Sequence, residues 1–296
     1  MSDPPRLRRS LLFVPGADGR RFARARESGA DTLLFDLEDS VAPDRKAEAR
    51  AQVAEVLGEG GFGETEPAVR INPPQTPYFE DDLEAVIEAG ARTLMLPKAE
   101  TVEGVLEVIR RIEGLEARHR PSDPVRTGLL ALIETPAGVL DAAPLGACSP
   151  RVEALCFGHA DFSREMGLTE ADASRGSVLH ARCQLAIAAK ACGATPIDNI
   201  CVATRDEPVF RADAELGRDL GFEGKMCIHP AQVGIANEVY TPSPEEIERA
   251  RAIVEGFSRA LAEGQGVFTI DNKMIDAPLV AVQERLLERA RRAGRL

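Results

Sequence analysis

Hydrophobic positions along the chain gather into short runs, each ending in polar or helix-breaking residues. Residues 10–14 stop at Pro15-Gly16, 32–36 flow into Leu37-Glu38-Asp39, 68–72 break at Pro73-Pro74, and 93–96 end at Pro97-Lys98. Residues 128–133 meet Glu134 and are closed by Pro136; 155–157 lead to Asp161; 195–198 form a weak run; 224–228 end at His229-Pro230. Runs of this length between breakers predict strands buried on both faces, as in a parallel sheet. Apolar residues at helical spacing predict helices around Phe22 and Ala25 and over 46–57, 81–89, 102–115, 178–192 and 209–220, with 114–127 as a polar loop. Eight strand–helix alternations predict an α/β fold, the TIM (β/α)8 barrel. No Gly-x-Gly-x-x-Gly follows the first run, which disfavours two dinucleotide-binding halves.

Beyond the eighth unit the pattern changes. Ser243-Pro244-Glu245-Glu246 predicts a helix start, with Ser as N-cap, Pro at the first helical position and acids at the positive end of the dipole. That helix runs to about residue 262. A hairpin is expected around Asp271-Asn272 and a last helix over 278–292. The expected organisation is a barrel domain over 1–241 and a C-terminal helical extension over 242–296 that caps the barrel or reaches a neighbouring subunit.

Composition narrows the partners. The chain has 296 residues, 44% of them hydrophobic, so a barrel-sized core is available. A net charge of −12 argues against nucleic acid or an anionic membrane as partner, though a local arginine cluster can still bind a small anion. The six cysteines form no Cys-x-x-Cys pair and are expected as reduced thiols. Residues 1–6 hold no apolar leader core, and no stretch is long enough to span a membrane, so a cytoplasmic protein is expected.

The chemistry-bearing residues collect at the C-terminal ends of the runs, the face where barrels bind ligands. Glu134 and Asp161, at the ends of successive runs, are candidate ligands of a hard cation. Magnesium suits them, because it needs few carboxylates and keeps waters or substrate oxygens. No His/Cys set has zinc-ligand spacing. Arg70, in a buried run, needs an anionic partner: Glu38 or Asp39, a substrate carboxylate held bidentately, or both. Glu38 and Asp39 either orient metal-bound waters and fix the basic groups or belong to a solvated loop. Lys98 is a candidate substrate contact or a rim lysine. Arg20 and Arg21 either meet a ligand phosphate at a helix N-terminus or form a solvated face. His159 and His229 lack a Ser or Cys elbow, so a hydrolase triad is unsupported. Asp276, before Pro278, is by its sequence the N-cap of the last helix.

Arg9-Ser10-Leu11-Leu12-Phe13-Val14-Pro15-Gly16, Phe35-Asp36-Leu37-Glu38-Asp39-Ser40-Val41, Val69-Arg70-Ile71-Asn72, Leu96-Pro97-Lys98, Ile133-Glu134-Thr135-Pro136, Gly158 to Asp161, Ile228-His229-Pro230-Ala231-Gln232 and Met274-Ile275-Asp276-Ala277-Pro278 occur in that order. Together these motifs resemble the citrate lyase β-subunit-like branch of the HpcH/HpaI aldolase superfamily, over nearly the whole chain. The resemblance implies a TIM barrel, Mg2+ as cofactor, a homotrimer or hexamer, and reversible Claisen-type cleavage of a 3-hydroxyacyl-CoA thioester to acetyl- or propionyl-CoA and a small oxoacid. It implies Glu134 and Asp161 as metal ligands and Arg70 as the grip on the oxoacid carboxylate. Glu38 and Asp39 would stand near metal waters, and Asp276 would be an acid/base delivered to a neighbour's site. Phe13, Arg20 or Arg21, Pro230 and Ala231 fall where members contact the CoA ester. Two departures stand out. His159-Ala160 precedes Asp161 where many relatives carry an acid, and the loop Ala17-Asp18-Gly19-Arg20-Arg21 leaves the phosphate-binding arginine open. A citrate lyase β subunit acting on a carrier-bound acyl group and a malyl-CoA thioesterase are the alternatives.

Overall fold

In the computed structural model, which describes residues 6–296, the eight runs become β1 (Ser10–Pro15), β2 (Thr32–Asp36), β3 (Glu66–Arg70), β4 (Thr93–Leu96), β5 (Gly128–Ile133), β6 (Val152–Phe157), β7 (Thr195–Asp198) and β8 (Gly224–Cys227). Each strand pairs in parallel with the next, and β8 returns to β1 with Met226 opposite Leu11. The sheet is therefore a closed eight-stranded parallel barrel, and helices surround it. The expected lack of a leader in residues 1–5 lies outside the described residues.

Strand alternation sends every second side chain inward. Leu11, Leu34, Ala68, Met95, Leu130, Ala154, Ile197 and Met226 fill the interior as one buried cluster. The N-terminal end of the barrel is sealed by charge instead. Arg8 donates from Nε and Nη2 to Glu66, both at 2.7 Å, and Thr32 and Thr93 add hydroxyl donors at 2.9 and 2.7 Å. Arg8 also pairs with Glu153. The seventh run is weak in the sequence because its last residue is an ion-pair member. Asp198 takes both arms of Arg182 at 2.8 and 2.6 Å, and Lys225 of β8 lies 2.7 Å from Asp213. Arg182, Asp198 and Lys225 are fully buried, which charges tolerate only when paired.

Two local expectations are corrected. The helix Val102–His119 outlasts its predicted end, and its fourth-last residue, Glu116, is held by Arg151 at 2.7 Å and by the Thr127 amide at 2.6 Å. After β5 the chain forms two short helices, Pro136–Leu140 and Ala142–Ala147, that apolar spacing did not predict.

The chain divides into two compact units, the first ending at Asn237 and the second running Glu238–Leu296. The second holds the helix Pro244–Ala262, opened by a full Ser243/Glu246 capping box, and the helix Ala277–Arg292. Between them β9 (Phe268–Ile270) and β10 (Lys273–Ile275) form an antiparallel hairpin. Its turn residues Asp271 and Asn272 have φ of 53° and 58°, as a two-residue turn with two left-handed positions requires. The unit has its own apolar contacts, including Ile253, Phe257, Ile275 and Val280. All six cysteines are unpaired. Among the described residues no helix is long and apolar enough to cross a membrane.

The basal pair sets a stability prediction. Burial alone would raise the Glu66 carboxyl, but Arg8 and Thr93 more than reverse this and hold it at about 2, against 4.5 when free. A depressed carboxyl stabilises the fold above its free value and loses that contribution as pH falls. Glu66→Ala leaves Arg8 buried without its main partner and is expected to cost about 3–5 kcal/mol at pH 7. In denaturant unfolding the deficit should narrow as pH drops from about 4.5 towards 2; a constant deficit would rule this account out.

Candidate active site

The C-terminal ends of the strands open into a cavity of about 760 Å³, lined by both polar and apolar residues. Asp36, Asp39, Arg70, Glu134 and Asp161 form the charged part. Phe13, Leu12, Ile200, Met226 and Ile228 form much of the rest.

Arg70 is held before any ligand arrives. Parallel register sets it beside Asp36 on the neighbouring strand. Its Nε and Nη2 donate to the two Asp36 oxygens at 2.7 and 2.8 Å. Asp36 also accepts the Glu38 and Ser40 amides at 2.9 and 3.1 Å, so one carboxylate fixes both the guanidinium and the β2 loop. The remaining nitrogen, Nη1, lies 2.8 Å from Glu38 and 3.4 Å from Asp39. The Phe13 ring stacks on the guanidinium at 4.8 Å. The sequence left Glu38, Asp39 or a substrate as partners of Arg70. Both acids are partners, but the principal one is Asp36, which occupies the edge formed by Nε and Nη2. Only Nη1 is turned to the two loop acids. Lys46, which the sequence did not single out, donates to the Leu37 and Glu38 carbonyls at 2.7 and 2.8 Å and to Asn72 at 2.7 Å.

Glu134 follows β5 and is 3% exposed. Its Oε1 accepts the Lys98 amide at 2.8 Å, and Lys98 adopts a left-handed φ of 51° at that point. Opposite, Gly158 packs so closely that a Cβ there would sit 2.5 Å from that of Glu134. Asp161 lies in the first turn of the helix His159–Glu165 and pairs with Arg164 at 2.6 Å. Burial, and then the charges of Glu38 and Asp161, push Glu134 up to about 8. Burial also lifts Glu38 to about 7; Asp39 and Asp36 add to it and Arg70 opposes it.

Hard oxygen donors crowded beyond what nearby cations neutralise suit a hard divalent ion. Among the described residues no group of three or more His, Cys, Asp or Glu side chains is arranged to hold a metal. A cation here would therefore take Glu134 and Asp161 and complete its shell with water or ligand oxygens.

Residues 9–230 match the family HpcH/HpaI aldolase/citrate lyase. The chain belongs to this family. It is 35% identical to the citrate lyase subunit beta of Escherichia coli (strain K12), covering 98% of this chain and 95% of that protein. It is 36% identical to the (3S)-malyl-CoA thioesterase of Cereibacter sphaeroides (strain KD131), covering 95% and 94%. Among solved structures, CitE of Mycobacterium tuberculosis in complex with magnesium, acetoacetate and coenzyme A is 29% identical, with a TM-score of 0.77 and coverage of 95% and 97%. A citrate lyase of Burkholderia xenovorans LB400 is 25% identical, with a TM-score of 0.86 and coverage of 100% and 95%.

The remaining family-motif positions divide. Phe13, Arg21 and Pro230 line the cavity, as does Arg24, one helical turn beyond Arg21 and not singled out in the sequence. Arg20 faces a separate groove with Arg26 and Arg45. Ala231 is exposed beside the cavity residue Pro230, and its amide donates to His229 Nδ1 at 3.2 Å. Lys98 meets Glu134 through its backbone amide and borders a different groove, and its charge reaches Glu38. Asp276 belongs to the second unit, where it caps the last helix by accepting the Leu279 amide at 3.3 Å.

A raised carboxyl destabilises as it ionises. In metal-free protein, Glu134 favours the fold below its free value of 4.5 and loses that contribution as pH rises through about 8. Thermal unfolding in a chelator should show a falling Tm across that range, and Glu134→Gln should flatten the fall. An unchanged slope in the variant would show that Glu134 is not the group responsible.

Proposed function

We propose that the protein is a magnesium-dependent carbon–carbon lyase that reversibly cleaves a 3-hydroxyacyl-CoA thioester, of malyl-, methylmalyl- or citramalyl-CoA type, to acetyl- or propionyl-CoA and an oxoacid. The observation that carries this is the pairing of Glu134 and Asp161 with a pre-fixed Arg70 in one cavity of a family member. Magnesium in the CitE relatives, with acetoacetate and coenzyme A in one and oxaloacetate in another, supports the ligand classes.

Glu134 and Asp161 hold the metal by their carboxylates. When bound, Mg2+ stabilises negative charge on the substrate oxygen that becomes a carbonyl. Arg70, braced by Asp36, offers its remaining N–H groups to the acyl group's carboxylate, in competition with Glu38. Glu38 and Asp39, the acids beside Arg70 Nη1, would orient water around the metal. Phe13, Pro230, Ala231, Arg21 and Arg24 line the path of the CoA arm, with Arg20 and Lys98 at its margins. As the substrate hydroxyl gives up its proton to water in the cavity and becomes a carbonyl, the bond between the two reacting carbons breaks, and its electron pair passes into the thioester and forms an enolate. Asp276 of a neighbouring subunit protonates that carbon, or removes the proton in the condensation direction. The extension over 242–296 brings it there in a homotrimer or hexamer.

A screen of malyl-, methylmalyl-, citramalyl- and citryl-CoA, with and without magnesium, tests the reaction. An acyl-CoA plus an oxoacid is the expected product pair. Free CoA with intact hydroxyacid would mean a thioesterase, and turnover only of carrier-borne citryl groups would mean a citrate lyase β subunit. Glu134→Ala and Asp276→Ala should each lower kcat/KM by about 10²–10⁴-fold. Mixing the two variants under subunit exchange should regenerate activity; if each is inactive alone and the mixture stays inactive, Asp276 does not act across subunits.

A further inference from the structure

The cavity contains one buried polar ring that the proposed mechanism does not use. His159 lines the cavity and is only 5% exposed. Its Nδ1 is sealed from solvent and has no hydrogen-bond partner among the described residues. The other cavity histidine, His229, differs: its Nδ1 is engaged by the Ala231 amide. A buried imidazole nitrogen left without a partner is costly unless the ring serves something else. With no acceptor at Nδ1, the neutral ring carries its proton on Nε2.

Position narrows what that proton meets. His159 opens the helix that bears Asp161, and the preceding Gly158 packs directly on Glu134. The ring is therefore anchored one residue from the metal corner, in a cavity that Phe157, Ile200 and Met226 also line, and within reach of the buried charges of Lys225, Asp213, Asp198 and Arg182. In a 3-hydroxyacyl thioester the thioester carbonyl lies two carbons from the hydroxyl-bearing carbon, between the metal corner and the CoA arm. It is also the oxygen that gains charge as the enolate forms, and a fixed donor shielded from water is most effective at such an atom.

We propose that His159 is a catalytic residue of this site, donating Nε2–H to the thioester carbonyl oxygen and to the enolate oxygen that succeeds it. The assignment rests on the CoA-thioester reading above and adds a donor that the family motifs do not supply. The proton stays on the ring throughout, so no further acid, base or redox partner is needed.

Calorimetric binding to the intact magnesium-loaded protein tests this without turnover. The probes are acetyl-CoA and S-ethyl-CoA, its thioether analogue without the carbonyl. Wild type should prefer the thioester by about five- to tenfold, the worth of one hydrogen bond. His159→Ala should abolish the preference by weakening acetyl-CoA alone, and His159→Gln, which keeps a donor, should restore part of it. In turnover, His159→Ala should lower kcat far more than it raises KM. A preference that survives in both variants overturns the His159 assignment and leaves the CoA-thioester reading intact. Failure of wild type to bind either probe overturns that reading and the assignment with it. If His159→Ala does not fold, His159→Gln and His159→Phe, which keep bulk and differ in the donor, decide the same question.

Discussion

The contact on which the site depends is the double hydrogen bond between Arg70 and Asp36. It joins β2 to β3 at their C-terminal ends, and through the Glu38 and Ser40 amides it also shapes the loop beyond β2. A buried guanidinium is tolerable only when its donors are satisfied. Asp36 accepts from two of the three nitrogens, and Glu38 lies beside the third. This makes Arg70 a fixed element, because a side chain already locked on one edge loses little freedom when its other nitrogen meets a ligand.

The two ends of the barrel use the same chemistry to opposite effect. At the base, Arg8 and two threonine hydroxyls surround one carboxylate, and Glu66 falls to about 2. At the mouth, Arg70 faces Asp36, Glu38 and Asp39, with Glu134 and Asp161 close by, and Glu134 rises to about 8. Balanced charge closes the base, while excess negative charge at the mouth creates demand for a cation. Between them the apolar layer of Leu34, Met95, Leu130 and Ile197 separates the two networks.

How far the sequence revealed this depends on the range of each interaction. Strand alternation, breakers and helix-start residues are local, so the eight strands, the hairpin at Asp271-Asn272 and the helix start at Ser243 were legible. Glu134 and Arg70 stood out because charge at the end of a buried run is anomalous. The partner Asp36 did not, because the register that sets it opposite Arg70 is a property of the folded sheet, although both lie at strand ends facing inward. Lys46 gave no local signal, since its partners are carbonyls of another segment. Arg20 and Arg21 were indistinguishable by position, and only helix orientation sends Arg21 and Arg24 to the cavity and Arg20 to the next groove.

Glu134 shows why the mouth needs backbone as well as side-chain precision. A carboxylate that must lose its proton near neutrality to bind a cation is a poor ligand if it can swing away and stay neutral. Two features remove that freedom. Lys98 is held in a left-handed conformation that costs a non-glycine residue about 1 kcal/mol or more, and the geometry it adopts aims its amide at Oε1. Gly158 lets the β6 end close against the other side, where any side chain would collide with Glu134. The carboxylate is thus clamped between two backbones, and its second oxygen is left as the group to be neutralised. Strain at Lys98, the bare backbone of Gly158 and the raised pKa of Glu134 are three aspects of one constraint: the acid is kept out of water and in place so that a cation can compete with a proton for it.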